Sequence, residues 1–130
     1  MKNPLLQQWE DKLNDIFEEI DKKLEKEYGD AHPLKPGRPK AGEGITHDTD
    51  GLFEIGVLFT PGFTSSYGPG YVFRVRLATF NKVPPEEIKM YEDKVARMLE
   101  EKLPEAFPER DLRVVRDGKM YKIIGDLGLN

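Results

Sequence analysis

The stretch DLRVVRDGKMYKII (Asp111–Ile124) decides the fold, because its own residues predict a β-hairpin. Asp117 and Gly118 form a dipeptide that favours a two-residue type I′ turn. That turn would place Val114 opposite Tyr121, on an apolar face that packs against a core. The other face would carry a mixed set of side chains: Arg113, Val115, Met120 and Lys122.

A second hairpin is predicted earlier in the chain, from LFEIGVLFT (Leu52–Thr60) and YVFRVRLATF (Tyr71–Phe80). Apolar residues alternate in both stretches, as in half-buried strands. Pairing them through the intervening loop sets Glu54 opposite Arg76 and predicts an ion pair across the ladder. The side chains on the outer face of the second strand would be Val72, Arg74, Arg76, Ala78 and Phe80.

Two amphipathic helices flank these hairpins. Asn3-Pro4 is a helix start, and apolar residues then recur at spacings of three and four up to Tyr28, before Gly29. Pro84-Pro85 starts the second helix, and Pro104 predicts its end near Leu103.

The resulting order of elements is α-β-β-α-β-β, which predicts an α+β fold. We expect residues 1–130 to form a single domain, a two-layer sandwich with a four-stranded antiparallel sheet and both helices on one face. This order corresponds to a circularly permuted ferredoxin-like fold, although the order of strands in the sheet is left open.

Composition narrows the classes of function. A net charge of −4 argues against a general nucleic-acid binder. The chain has no cysteine, so it forms no disulfide and has no thiolate nucleophile, and no apolar run approaches a membrane span. We therefore expect a cytoplasmic protein that does not bind membranes.

The open face of the sheet is the first candidate surface, with Arg74, Arg76, Arg113 and Lys122 as its binding residues. A half-apolar open sheet usually needs a cover, so the leading hypothesis is a non-enzymatic interaction module that binds a protein partner or self-associates as a homo-oligomer. The alternative is an RNA-binding domain that uses the same face, since basic and aromatic groups on a sheet can hold RNA.

The irregular segment 30–51 contains HPLKPGRPKAGEG (His32–Gly44), in which three prolines recur at every third residue. That spacing favours a polyproline II edge, with Lys35 and Arg38 on the other edges. We interpret the segment as an ordered strap that covers the domain or its partner. A PxxP-like docking ligand is the alternative.

Two further segments could carry function. Phe63 and Tyr67, in the loop between the first two strands, could contact a ligand or partner. His47, in THDTDG, leaves open a small enzyme or a metal-binding protein, but the calcium-loop pattern lacks its bidentate ligand at position twelve. No catalytic motif is present, so we expect no catalytic residue, no cofactor and no metal.

Overall fold

The computed structural model describes residues 4–45 and 49–127. The first helix and the first hairpin comprise α1 (Pro4–Tyr28), β1 (Phe53–Thr60) and β2 (Gly70–Leu77). The second helix and the second hairpin comprise α2 (Pro85–Ala106), β3 (Leu112–Asp117) and β4 (Met120–Gly125). The predicted α+β order is therefore confirmed.

The strands form one antiparallel sheet in the order β1-β2-β4-β3. This is the strand order of a ferredoxin-like sheet whose first strand has been moved to the end of the chain. Both helices pack on one face, where apolar residues of the strands meet the helical stripes. The core contains aromatic and aliphatic side chains from both layers: Trp9, Phe17, Leu24, Phe53, Phe73, Tyr91, Leu99 and Ile123.

The first hairpin has the predicted register, with Glu54 opposite Arg76. In the second hairpin the pairing register differs from the predicted one by two residues. Val114 pairs with Ile123, and Gly118 and Lys119 form the turn. Gly118 has a φ of 66°, so glycine supplies the left-handed conformation at the first turn position. A shift of two residues keeps every side chain on its predicted face.

Two predicted boundaries are wrong. The second strand ends at Leu77, so Phe80 follows the strand instead of lying on it. The second helix passes Pro104 and ends at Ala106, because a proline in the last turn removes only one of the final intrahelical bonds. The backbone N–H of Phe107 then donates to Leu103 and closes the helix.

Among the described residues, the half of β2 that follows Phe73 has no paired strand on the side that faces β4. The β2–β4 ladder covers only Tyr71, Val72 and Phe73. Beyond it, the buried carboxylate of Glu92 on α2 accepts the backbone N–H of Val75 at 3.1 Å. A helix side chain therefore replaces the missing strand at this point.

Candidate functional site

A pair of arginines lies on β2, on the sheet face that the helices leave open. Arg74 and Arg76 are both exposed on this face, two residues apart and so about 7 Å apart along β2. Neither side chain makes a hydrogen bond or ion pair with a described residue. Their guanidinium donors are therefore available to an anion.

The carboxylate expected to neutralise this pair is bound by the strap instead. Glu54 lies opposite Arg76, but Arg38 Nη1 approaches Glu54 Oε1 at 3.1 Å. The same guanidinium donates to the carbonyl oxygens of Asp50 and Gly51, each at 3.0 Å. The predicted Glu54–Arg76 ion pair is wrong, because the guanidinium of Arg38 lies against this carboxylate. The arginine pair consequently keeps its positive charge.

An exposed aromatic ring, that of Phe80, follows the strand that carries the arginine pair. We call Arg74, Arg76, Phe80 and the neighbouring Lys35 the basic track. Phe80 is 78% exposed, and Lys35 Nζ lies 5.5 Å from the centre of its ring. The strap is fixed here because the backbone N–H of Lys35 donates to the carbonyl of Ala78 at 2.9 Å. The strap thus places a cation beside a flat apolar ring just after the strand that carries the two arginines.

Lys122 lies on the open face as predicted, but it is buried and not available to a partner. Its side chain is only 1% exposed, and its ammonium donates to the carbonyl of Gly68 and contacts Asp117 Oδ2 at 3.2 Å. Ser65 Oγ, 3.3 Å from the ammonium, donates to the same carboxylate at 2.5 Å. We call these three side chains the loop clamp. The hydrogen bond from Ser65, and then that from Lys122, hold the pKa of Asp117 below its usual range.

The loop clamp folds residues 61–69 back over one end of the open face. Phe63 remains 93% exposed, and Tyr67 is about half exposed, with its backbone N–H donating to Ser65 Oγ at 3.0 Å. These two aromatic side chains therefore lie beyond one end of β2, while Phe80 lies beyond the other. A role for Phe63 or Tyr67 in binding stays a prediction.

Arg113 does not belong to the arginine pair. It is exposed on the edge strand β3 and lies opposite Ile124. Two strand spacings and four residues separate it from Arg74, a distance of roughly 16 Å. The four basic residues predicted on the sheet thus comprise one adjacent pair, one distant arginine and one buried lysine.

A second cluster, around His32, uses its polar groups internally. Asn81 Nδ2 approaches His32 Nδ1 at 3.0 Å, and His32 Nε2 lies 2.5 Å from Glu87 Oε2. Tyr91 donates its hydroxyl to the same oxygen at 2.7 Å. The hydrogen bond from Tyr91, and then that from His32, lower the pKa of Glu87. Both imidazole nitrogens are occupied, so this cluster fastens the strap to α2 and offers no free base.

A cleft of about 590 Å³ lies between the end of α1 and the strap, and Glu25 lines it. Glu25 Oε1 accepts the backbone N–H of Phe53 at 2.7 Å and so caps the start of β1. Burial raises the pKa of this carboxyl, while the backbone hydrogen bonds act in the opposite direction. The carboxylate is a structural cap that also forms one wall of the cleft.

His47 and Asp48 lie outside the described residues, so the enzyme and metal hypotheses for that loop stay as they were. Within residues 4–45 and 49–127, no group of three or more His, Cys, Asp or Glu side chains could hold a metal ion. Over the same ranges, no helix is long and apolar enough to span a bilayer.

Sequence reasoning did not identify Phe80 as a site residue, nor Ser65 and Asp117 as partners of Lys122. The contact between Lys35 and Phe80 joins residues far apart in sequence and depends on the path of the strap. No local pattern signals such a contact. The loop clamp could have been suspected, since a lysine flanked by apolar strand residues needs a buried partner.

These features define a two-layer α+β protein with a partly covered open sheet. A family model described as "Uncharacterised protein" matches residues 4–125, and the chain belongs to that family. An uncharacterized protein of Borreliella burgdorferi is 34% identical over 118 residues, which cover 91% of this chain and 92% of the relative. No solved structure matches the chain.

Proposed function

We propose that this protein is a non-enzymatic interaction module whose open sheet face binds single-stranded RNA. The observation that carries the proposal is the unpaired arginine pair, Arg74 and Arg76, on the strand that the exposed ring of Phe80 follows by three residues. Proteins that bind single strands combine basic groups along the backbone with aromatic platforms for the bases.

The chemistry of each group fits a part of the ligand. Arg74 and Arg76 can hold phosphate oxygens, since a guanidinium presents a fork of donors that matches them. Phe80 offers a face on which a base can stack, and Lys35 beside it adds a cation. Arg38 supports the track indirectly, because it neutralises the carboxylate of Glu54, which would otherwise repel a phosphate.

The distribution of charge supports a polyanion at this location in spite of the net charge of −4. Residues 1–30, which include α1, carry five basic and nine acidic side chains. The negative charge is therefore concentrated on the helical layer, while the open face presents basic groups. A polyanion would approach the molecule from the sheet side.

Self-association through the open face is less well supported. A two-fold interface brings the same patch of both copies together, so the arginine pairs of both copies would lie in one interface. Like charges in an interface disfavour it, and Glu54, the carboxylate opposite Arg76, is already paired with Arg38. An anionic partner removes this conflict.

A binding assay with a fluorescently labelled oligouridine of about ten nucleotides tests the proposal. Changing Arg74→Ala together with Arg76→Ala should weaken binding about tenfold at low salt. The slope of log K against log salt should fall by about 1.4, because each phosphate contact on a single strand contributes about 0.7. Phe80→Ala should weaken binding with little change in that slope.

The matched control removes two positive charges from the helical layer. Lys89 and Arg97 are both exposed on α2 and lie away from the open face. The double change Lys89→Ala and Arg97→Ala alters the net charge equally and should leave affinity and slope near those of the unmodified protein. Equal losses in the two double variants would show attraction to overall charge and would contradict the proposed track, as would an absence of binding.

A further inference from the structure

The outer edge of the sheet carries a different kind of surface from its open face. Among the described strands, β1 is the first in the sheet order, so it has a paired strand on one side only. Ala78 donates its N–H to the carbonyl of Leu52, and Phe53 donates its N–H outward to Glu25. Since peptide groups alternate along a strand, the N–H and C=O groups of Ile55, Val57 and Phe59 also point outward.

The two edges of the sheet are protected to different degrees. The edge strand β3 carries Arg113, Arg116 and Asp117, and charged side chains are a common means of preventing edge-to-edge pairing. The other edge, IGVLFT at residues 55–60, has no charged side chain and no proline. A long, apolar edge of this kind invites a further strand.

Apolar side chains beside this edge are also left uncovered. Leu58 is 69% exposed on the open face, and Val57 and Phe59 are partly exposed on the helical side. A groove of about 420 Å³ runs between α1 and β1, with Leu13 and Phe17 among its walls. An added strand would bring side chains into this groove as well as backbone groups to the ladder.

We propose that β1 pairs antiparallel with β1 of a second copy, about a two-fold axis at Val57. In that register, Ile55 faces Phe59 of the second copy, Val57 faces Val57, and the outward peptide groups form about six hydrogen bonds. A two-fold interface must be self-complementary, and this edge meets that requirement.

The side chains agree with this register. Leu58, which protrudes on the open face, would lie opposite Gly56 of the second copy, where nothing lies within 4 Å of the position that a Cβ would take. Glu54 would lie opposite Thr60, so no like charges meet. The ladder would end at Pro61, which has no N–H, and at Phe53, whose N–H is already bound by Glu25.

This interface goes beyond the proposed RNA-binding function and does not depend on it. Sedimentation velocity of the unmodified protein, at about 100 µM, should show a dimer. Val57→Lys places a charge at the axis and should give a monomer. Met90→Lys makes the same change at an equally exposed position on α2 and should leave the dimer intact.

Amide hydrogen exchange identifies the interface and keeps the test independent of folding defects. The amides of Ile55, Val57 and Phe59 should become more protected as protein concentration rises, while those of Val57→Lys should stay unprotected with unchanged circular dichroism. A monomer at 100 µM would overturn the inference. So would a dimer that persists in Val57→Lys, or one whose protected amides lie elsewhere.

Discussion

At the scale of single residues, buried polar side chains explain how irregular segments are held in place. Lys122 is buried by the loop that it binds, and Glu92 accepts a backbone N–H that no strand reaches. Both residues occur in otherwise amphipathic stretches, where the sequence alone predicts exposed charges. Their roles depend on what the chain places over them, which periodicity does not report.

Loss of the lysine from the loop clamp should destabilise the protein. Lys122→Met keeps the apolar stem but leaves Asp117 and the Gly68 carbonyl without their cation, so we expect a loss of about 2–4 kcal/mol of unfolding free energy. Urea unfolding measures this loss. Lys119→Met, in the exposed turn of the same hairpin, is the control and should change stability little. Equal effects of the two changes would contradict the loop clamp.

The loop clamp should also make the unfolding free energy depend on pH in the acid range. The folded-state pKa of Asp117 lies below its usual value of 3.8, so its carboxylate stabilises the fold above that pH. This contribution disappears as pH falls through the lowered folded pKa. Asp117→Asn should therefore flatten the decline of stability below pH 3.8, measured by urea unfolding across a pH series. An unchanged decline would mean that groups other than Asp117 cause the loss of stability in acid.

Glu92 can be tested by comparing two substitutions at one position. Glu92→Ala leaves the buried N–H of Val75 without an acceptor and should cost about 1–3 kcal/mol. Glu92→Gln retains an oxygen that can accept the same bond and should cost clearly less. Thermal or urea unfolding distinguishes them, and equal losses would mean that the hydrogen bond contributes nothing.

At the scale of elements, the sequence predicted all helices and strands but not the course of the segments between them. Apolar periodicity located α1, and alternation located β1, with its register, because both patterns follow from local geometry. The strap and the 61–69 loop have no periodicity. Their positions result from contacts with distant residues, among them those of Arg38 with Glu54 and Lys122 with Ser65.

The junction between the strap and β1 offers a test at this scale. Gly51 has a φ of 71°, and a Cβ at that position would lie 2.3 Å from Glu25 Oε1. Gly51→Ala should therefore combine backbone strain with displacement of the carboxylate that caps β1, at a cost of about 2–3 kcal/mol. Gly37→Ala, also at positive φ but with open space around it, should cost only the strain, about 1 kcal/mol. Equal losses in urea unfolding would mean that the Glu25 cap does not matter.

At the scale of the whole molecule, the two layers differ in charge and in the surfaces that they expose. The helical layer carries most of the negative charge and supplies the cover for the core, whereas the sheet presents a basic track on its face and an apolar strand at its edge. The proposed track and the proposed dimer edge lie on neighbouring parts of the sheet. Pairing at the edge would extend the open face and leave Arg74 and Arg76 accessible on both copies.

The most direct measurement of the central proposal is an NMR titration of the ¹⁵N-labelled protein with oligouridine of about ten nucleotides. We expect the largest shifts along β2 and Phe80 and at Lys35 of the strap, with the outer surface of the helices unchanged. Shifts confined to the helices, or none at saturating oligonucleotide, would contradict the proposal that the open sheet face binds RNA.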